Sequence, residues 1–373
     1  MTHTRLTALL QKMASANLDV IALMPGPNLF YLTGLSFHLS ERPIVAFFSR
    51  HADPAMVLPG FEAGKSAQAP YFIQTFPYAE DDAALGEAFR QAAKALGLAG
   101  AQVGVEGRRM RVMELHHLET VAPGASFHQA EPTLAALRMT KDLGELAAMR
   151  KAVAIAEIAL KAWLPKVKVG LSEKELASEL TAQILTAGSE SEMAFTPIVA
   201  SGPNSALPHA FPSDRLLQHG DLLIVDWGAA VRGYFSDITR TFAIGEVDQE
   251  LKQVYELVRQ ANAAGKAAVK PGAACQDVDR AARKVIADSG YGEFFFHRTG
   301  HGLGLEGHEE PYLREGDTLP LAEGMSFTVE PGIYLPGRGG VRIEDDLVVT
   351  AEGAECLTDY PRELQILSGM GNG

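Results

Sequence analysis

The 373-residue chain predicts an α+β protein in two domains, a smaller α/β domain followed by a larger, strand-rich one. Three observations carry this. The length exceeds what one hydrophobic core usually organises. Helical and strand-like segments alternate up to about residue 130. Beyond a proline-containing connection and a long helical stretch, apolar strands come to dominate. The boundary is placed near residue 135, giving domains of residues 1–134 and 135–373.

In chain order, residues 4 to 17 set Leu6, Leu9, Leu10 and Met13 on one helical face. LDVIALM reads as a strand, PGPN as a turn, and PIVAFFS and AMVLPG as further strands. AEPTLAALRMTKDLGELAAMRKAVAIAEIALKAWL starts as a connection and continues as long helix. LSEKELASELTAQILTAG is helical and leads into a strand and glycine-rich loop in SEMAFTPIVASGPNSALPHAFP. LLIVDWGAA and GYFSDITRTFAIG read as strands separated by a turn around Arg232 and Gly233, so a hairpin there brings Asp226 and Asp237 together. Helices are predicted over 248–269 and 275–288. The glycine-rich tail GMGNG is expected to be disordered.

Composition narrows the function. Hydrophobic content of 47% and charged content of 21% are ordinary for a globular protein, and no apolar run reaches membrane-span length. The N-terminus lacks the continuous apolar core of a signal peptide, so a cytoplasmic location is expected. Cys275 and Cys356 are too few for a disulfide framework or thiolate cluster. A net charge of −13 argues against a nucleic-acid partner, which would need a basic face.

Five residues stand out: Asp226, Asp237, His301, Glu330 and Glu344. They sit in DLLIVDWGAAVRGYFSDITRTF, HRTGHGLGLEGHEEP, MSFTVEPGIY and GGVRIEDDLVV. An Asp ending an apolar strand, as Asp226 does, is most often a turn or cap residue. Glu330 ends apolar FTV, and Glu344 lies in VRIEDDLVV, where alternation sends Arg342, Glu344 and Asp346 to one face. A solvated edge strand would explain that segment alone. It does not explain all four segments together. Four carboxylates and an imidazole suit a pair of hard or borderline divalent ions.

In this order the segments resemble the metallopeptidases of the pita-bread fold, and among them the Xaa-Pro peptidases, aminopeptidase P and prolidase. The resemblance covers the whole chain, its first part resembling a creatinase-type domain. It implies that Asp226 chelates one metal and His301 the other, that Asp237 and Glu344 bridge them, and that Glu330 serves the His301 metal and shuttles a proton. It implies two ions, with Mn²⁺ favoured by carboxylate ligation and Co²⁺ or Zn²⁺ as alternatives. His209, His308 and His297 match family histidines that stand near the substrate and can donate to a developing oxyanion. Arg342 is expected to pair with a carboxylate at the centre and fix its orientation.

Where many prolidases carry an arginine that clamps a dipeptide's free carboxylate, this chain has Tyr312. Tyrosine cannot form a bidentate pair with a carboxylate. The expectation is therefore an Xaa-Pro aminopeptidase acting on short proline-containing peptides, with a dipeptidase as the alternative and Arg338 as a substitute clamp. A methionine aminopeptidase would share the ligands, but with a smaller N-terminal region. A creatinase-like or non-catalytic member would not need the full set. A homodimer is the assembly the family implies.

Overall fold

The computed structural model describes residues 2–369, so the last four residues of the expected disordered tail lie outside the described residues. It separates into two compact units, residues 1–138 and 139–373.

The first unit contains helices α1 (Thr2–Ser15), α2 (Pro27–Thr33), α3 (Asp82–Leu96), α4 (Val112–Val121) and α5 (Glu131–Arg138). Its strands are β1 (Val20–Leu23), β2 (Val45–Ser49), β3 (Ala55–Pro59), β4 (Gln74–Tyr78), β5 (Gln102–Val105) and β6 (Ser126–Gln129). They form one mixed sheet in the order β4-β3-β2-β1-β5-β6. β1, β2 and β3 are buried along their whole lengths, which is why they read as continuous apolar runs rather than alternating ones. Phe89, Ala92 and Leu96 of α3 pack with Val45, Phe47, Val57 and Val103 of the sheet in one core. Asp81 caps α3 by accepting from the Ala84 N–H.

One sequence expectation changes here. PGPN is not only a turn: Pro27 opens α2, a position where its missing N–H costs nothing. The expected boundary near residue 135 falls inside α5, whose Leu134 and Leu137 are buried and whose Leu137 carbonyl accepts from the Tyr31 hydroxyl. The long helix then starts afresh at residue 143, where Asp142 and Glu145 form a reciprocal capping box.

The second unit has helices α6 (Leu143–Trp163), α7 (Glu173–Thr186), α8 (Gln249–Ala268) and α9 (Cys275–Asp288). Its strands run from β7 (Ile198–Ser201), β8 (Leu222–Trp227), β9 (Ala230–Val231), β10 (Tyr234–Phe235) and β11 (Ile238–Ile244) to β12 (Gly300–Gly302) and β13 (Glu309–Leu313). They continue through β14 (Ser326–Val329), β15 (Gly332–Leu335), β16 (Gly339–Arg342), β17 (Asp345–Val349), β18 (Ala354–Cys356) and β19 (Gln365–Leu367). One sheet has the order β19-β11-β8-β7 and another β13-β12-β14-β17-β18, with β15 and β16 paired separately. Every pairing is antiparallel except β11 with β19. α6 and α7 share a core with the first sheet, through Trp163, Leu180, Val225 and Trp227. α8 and α9 share another with β15 and β16, through Val258, Ala282, Ile333 and Val341.

Two of the candidate segments are interrupted at the candidate residue, Asp237 and Glu344, while Asp226 and His301 lie within β8 and β12 and Glu330 directly follows β14. GYFSDITRTFAIG is split into β10 and β11, with Asp237 at the break, while β8 pairs β11 so that Asp226 lies opposite Thr239. VRIEDDLVV is two strands rather than one alternating strand: β16 ends at Arg342, β17 starts at Asp345, and Glu344 lies between them. Between β9 and β10, Arg232 and Gly233 both have positive φ (53° and 76°), the tight-hairpin conformation expected at that turn.

Candidate metal centre

The structure brings four carboxylates and one imidazole together inside the second unit. Donor atoms of Asp226, Asp237 and Glu344 lie within 4.8 Å of one another, as do those of His301, Glu330 and Glu344. His301 Nε2 is 3.7 Å from Asp237 Oδ2 and 3.5 Å from Glu330 Oε1. Its Nδ1 faces the Gly302 carbonyl at 3.1 Å, so Nδ1 carries the proton and Nε2 presents its lone pair to the carboxylates. Two glycines let the backbones approach this closely. A Cβ on Gly228 would stand 1.9 Å from the Ser236 carbonyl oxygen, and one on Gly300 1.9 Å from that of Thr328.

These groups are buried and short of positive charge. Asp237, His301 and Glu344 are almost wholly enclosed. Burial pushes the Asp237 carboxyl well up, and Glu344 and Asp226 add to the shift. Burial does the same to Glu344, reinforced by Glu330 and Asp226. Glu330 is pushed up to about 7 by burial, with Arg342 opposing and Asp226 assisting. Burial drives the His301 imidazole well down, keeping it neutral. Asp226 Oδ1 is buried without a hydrogen-bond partner. Enclosed carboxylates with an unsatisfied oxygen are costly to keep charged without a cation, and the donor set fits a pair of hard or borderline divalent ions.

Neighbouring side chains orient the carboxylates. Arg342 donates from Nη2 to Asp226 Oδ2 at 2.7 Å, leaving Oδ1 for the centre. Its Nη1 donates to the Tyr334 hydroxyl at 3.0 Å and its Nε to Thr239 Oγ1 at 3.1 Å. Thr239 in turn donates to Glu344 Oε2 at 2.6 Å. Asp346, unexpected from the sequence, accepts from the Asp237 N–H at 3.1 Å and holds a second buried oxygen without a partner. Thr239 and Tyr334 were also not singled out by sequence reading. Thr239 lies two residues after Asp237 in SDITR, a spacing that hints at a shared face.

The three other histidines differ in what they can do. The His308 ring packs against that of His301 at a tilt of 53°, with ring centroids 3.9 Å apart, and one of its nitrogens lies within 4.8 Å of the Asp237 and His301 donors. Arg298 donates to His308 Nδ1 at 3.2 Å, which leaves the neutral ring's proton on Nε2. Desolvation, Arg298 and His209 together lower its pKa to about 4. His209 is exposed on the wall of the same cavity. His297 does not fit the role of oxyanion donor. Its Nδ1 faces the Arg298 carbonyl at 2.7 Å and its Nε2 the Tyr334 hydroxyl at 2.9 Å, so no ring N–H is left for a substrate. It supports Tyr334, and through it Arg342.

A cavity of about 800 Å³ opens over the cluster, lined among others by Phe195, Ile198, His209, Phe211, Arg298 and Arg314. Arg338 does not line it. That arginine pairs with Glu250 and, at 3.3 Å, with Asp248 at the start of α8, which removes it as a substrate clamp. Tyr312 stands opposite His301 in the β12–β13 pairing, and the Arg298 guanidinium lies 4.4 Å above its ring.

Residues 147–351 match metallopeptidase family M24, and residues 5–140 match the creatinase/prolidase N-terminal domain. The chain is 40% identical over 250 residues to an Xaa-Pro dipeptidase of Pyrococcus horikoshii, covering 67% of this chain and 71% of that protein. Among solved structures, a dipeptidase from Pyrococcus horikoshii OT3 superposes with a TM-score of 0.92 at 38% identity, covering 97% of this chain and 100% of that one. The dipeptidase PepE from Mycobacterium ulcerans gives 0.90 at 38% identity, covering 98% of each chain. The expected fold, a creatinase-type domain followed by a pita-bread domain, is the one found.

Proposed function

This chain belongs to metallopeptidase family M24, and we propose that it is an Xaa-Pro dipeptidase working with two divalent metal ions. The observation that carries the metal assignment is the overlap of the donor groups. Glu344 is common to both, and Asp237 joins the Asp226 side to the His301 side. In this reading Asp226 would hold one ion and His301 and Glu330 the other, with Asp237 and Glu344 placed to serve both. The dominance of carboxylates favours Mn²⁺ over Co²⁺ or Zn²⁺. Two ions held there would supply a hydroxide nucleophile at neutral pH and polarise the scissile carbonyl.

The chain's own residues do the rest. Glu330, whose Oε1 stands 3.5 Å from His301 Nε2 at the edge of the cluster, is placed to take a proton from the attacking water and pass it to the leaving proline nitrogen, which needs one to depart. His308, fixed by Arg298 with its proton on Nε2, can donate to the oxyanion, and exposed His209 can steady the substrate at the cavity wall. Arg342 holds Asp226 in register through their 2.7 Å hydrogen bond.

On substrate length, the relatives named as dipeptidases support the dipeptidase over the aminopeptidase expected from Tyr312. The remaining parts of the reading are a homodimer in the cytoplasm acting on short proline-containing peptides. The deciding experiment measures bound metal, then compares Xaa-Pro with Xaa-Pro-Xaa cleavage at equal metal loading. Two ions per chain and a higher kcat/KM for Xaa-Pro are expected. A preference for the tripeptide would return the reading to an aminopeptidase.

A further inference from the structure

The acidic cavity holds a second, opposite patch of charge. Arg298 and Arg314 both line it, and their guanidinium carbons stand 4.4 and 5.9 Å from the centroid of the one Tyr312 ring. The protein carries 46 acidic residues against 33 lysines and arginines, so an arginine here would readily find a carboxylate partner. Many do: Arg338, Arg342, Arg240 and Arg362 all pair with acids. Among the described residues, neither Arg298 nor Arg314 forms an ion pair with a carboxylate. The Arg298 guanidinium makes one hydrogen bond among the described residues, from Nη2 to His308 Nδ1 at 3.2 Å. A half-buried guanidinium, set 4.4 Å over an aromatic ring with donors to spare, is preorganised for a bidentate anion.

We propose that Arg298, stacked on Tyr312 and reinforced by the charge of Arg314, receives the free C-terminal carboxylate of the substrate and thereby sets its length. This rests on the dipeptidase reading above and names the residue that enforces it. Geometry supports the assignment. His308 reaches the donors of Asp237 and His301 on one side and is hydrogen-bonded to Arg298 on the other, so the guanidinium stands one imidazole away from the centre. A proline residue spans a comparable distance between its scissile nitrogen and its carboxylate. Tyr312 then takes part as the platform on which the cation rests. An amide or a further residue at the same place gives the guanidinium a neutral oxygen in place of an anion.

Arg298 also fixes the His308 tautomer, so a loss of activity alone would not separate clamp from positioning. Two substrates do. In Arg298→Ala, kcat/KM for an Xaa-Pro dipeptide should fall on the order of a hundredfold relative to wild type, mostly through KM. For the matching Xaa-Pro amide it should fall no more than about tenfold, with bound metal and melting temperature near wild type. Equal loss on acid and amide would overturn the clamp and leave Arg298 as a positioning residue for His308. Wild type that cleaves acid and amide equally well would overturn it too, while leaving the dipeptidase reading standing. Metal-loaded wild type that cleaves no Xaa-Pro bond would overturn both.

Discussion

Glu344 and Asp345 are neighbours in sequence, both fully enclosed, and their carboxylates live in opposite electrostatic worlds. Asp345 faces three cations: Arg240 donates to it at 2.8 Å, Arg362 twice at 2.9 Å, and Lys266 at 2.5 Å. Burial works against its charge, but Arg240, Arg362 and Lys266 outweigh burial and hold the carboxyl well below the usual range. Glu344 shares its space with Asp226, Asp237 and Glu330, and is relieved inside the fold by the nearby charge of Arg342 and the Thr239 hydroxyl. A buried acid matched by protein cations is a structural device. One surrounded by other acids is incomplete, and the incompleteness marks a place for an external cation. Glu173 shows a third solution, an enclosed carboxylate satisfied by the neutral donors of Ser201, Asn204 and Ser213.

This contrast can be broken at several points. The largest effect should come from the incomplete side. Asp237→Ala or Glu344→Ala should abolish Xaa-Pro hydrolysis and lower bound metal per chain, since each removes a donor that links the Asp226 side of the cluster to the His301 side. Full activity with unchanged metal in either variant would end the two-metal assignment. On the matched side, Asp345→Asn should cost about 3–5 kcal/mol of stability, because Arg240 is left buried without its anion. Metal stoichiometry of the folded fraction should stay as in wild type, as denaturant titration with metal analysis can check.

His308→Ala separates binding metal from stabilising the transition state. Turnover should fall on the order of a hundredfold with metal retained, as for one lost oxyanion donor. Loss of metal would instead make His308 a ligand. The smallest effect belongs to Glu173. Burial opposes its charge, but hydrogen bonds from Ser213, Ser201 and Asn204 prevail and hold its carboxyl below the usual value. A lowered folded pKa stabilises above the unfolded value, about 4.3, and that stabilisation fades as pH falls through the folded value. Glu173→Gln should therefore cost about 1–3 kcal/mol at pH 7, with the gap to wild type narrowing below pH 4. A gap independent of pH would show that the carboxylate charge is not what those donors hold.

The sequence alone determined the elements that rest on local periodicity and on strict motifs. Helices over 248–269 and 275–288 are found as α8 and α9, and the turn at Arg232 and Gly233 as a hairpin with both residues at positive φ. Asp226, Asp237, His301, Glu330 and Glu344 were legible because their four segments occur together and in the order the family resemblance requires, although each segment alone reads as a turn, a cap or a solvated edge. Tertiary structure decided which charges find partners. Sequence offered Arg338 as the substitute clamp and not Arg298, yet Arg338 pairs with Glu250 and Arg298 is left facing the cavity. Likewise, nothing local tells Glu344 from Asp345, or shows that His297 has both ring nitrogens engaged. The physical reason is common to all three. Whether a charge is compensated depends on groups up to about a hundred residues away, such as Thr239 for Glu344 and Arg240 for Asp345, which only the folded chain brings within hydrogen-bond reach.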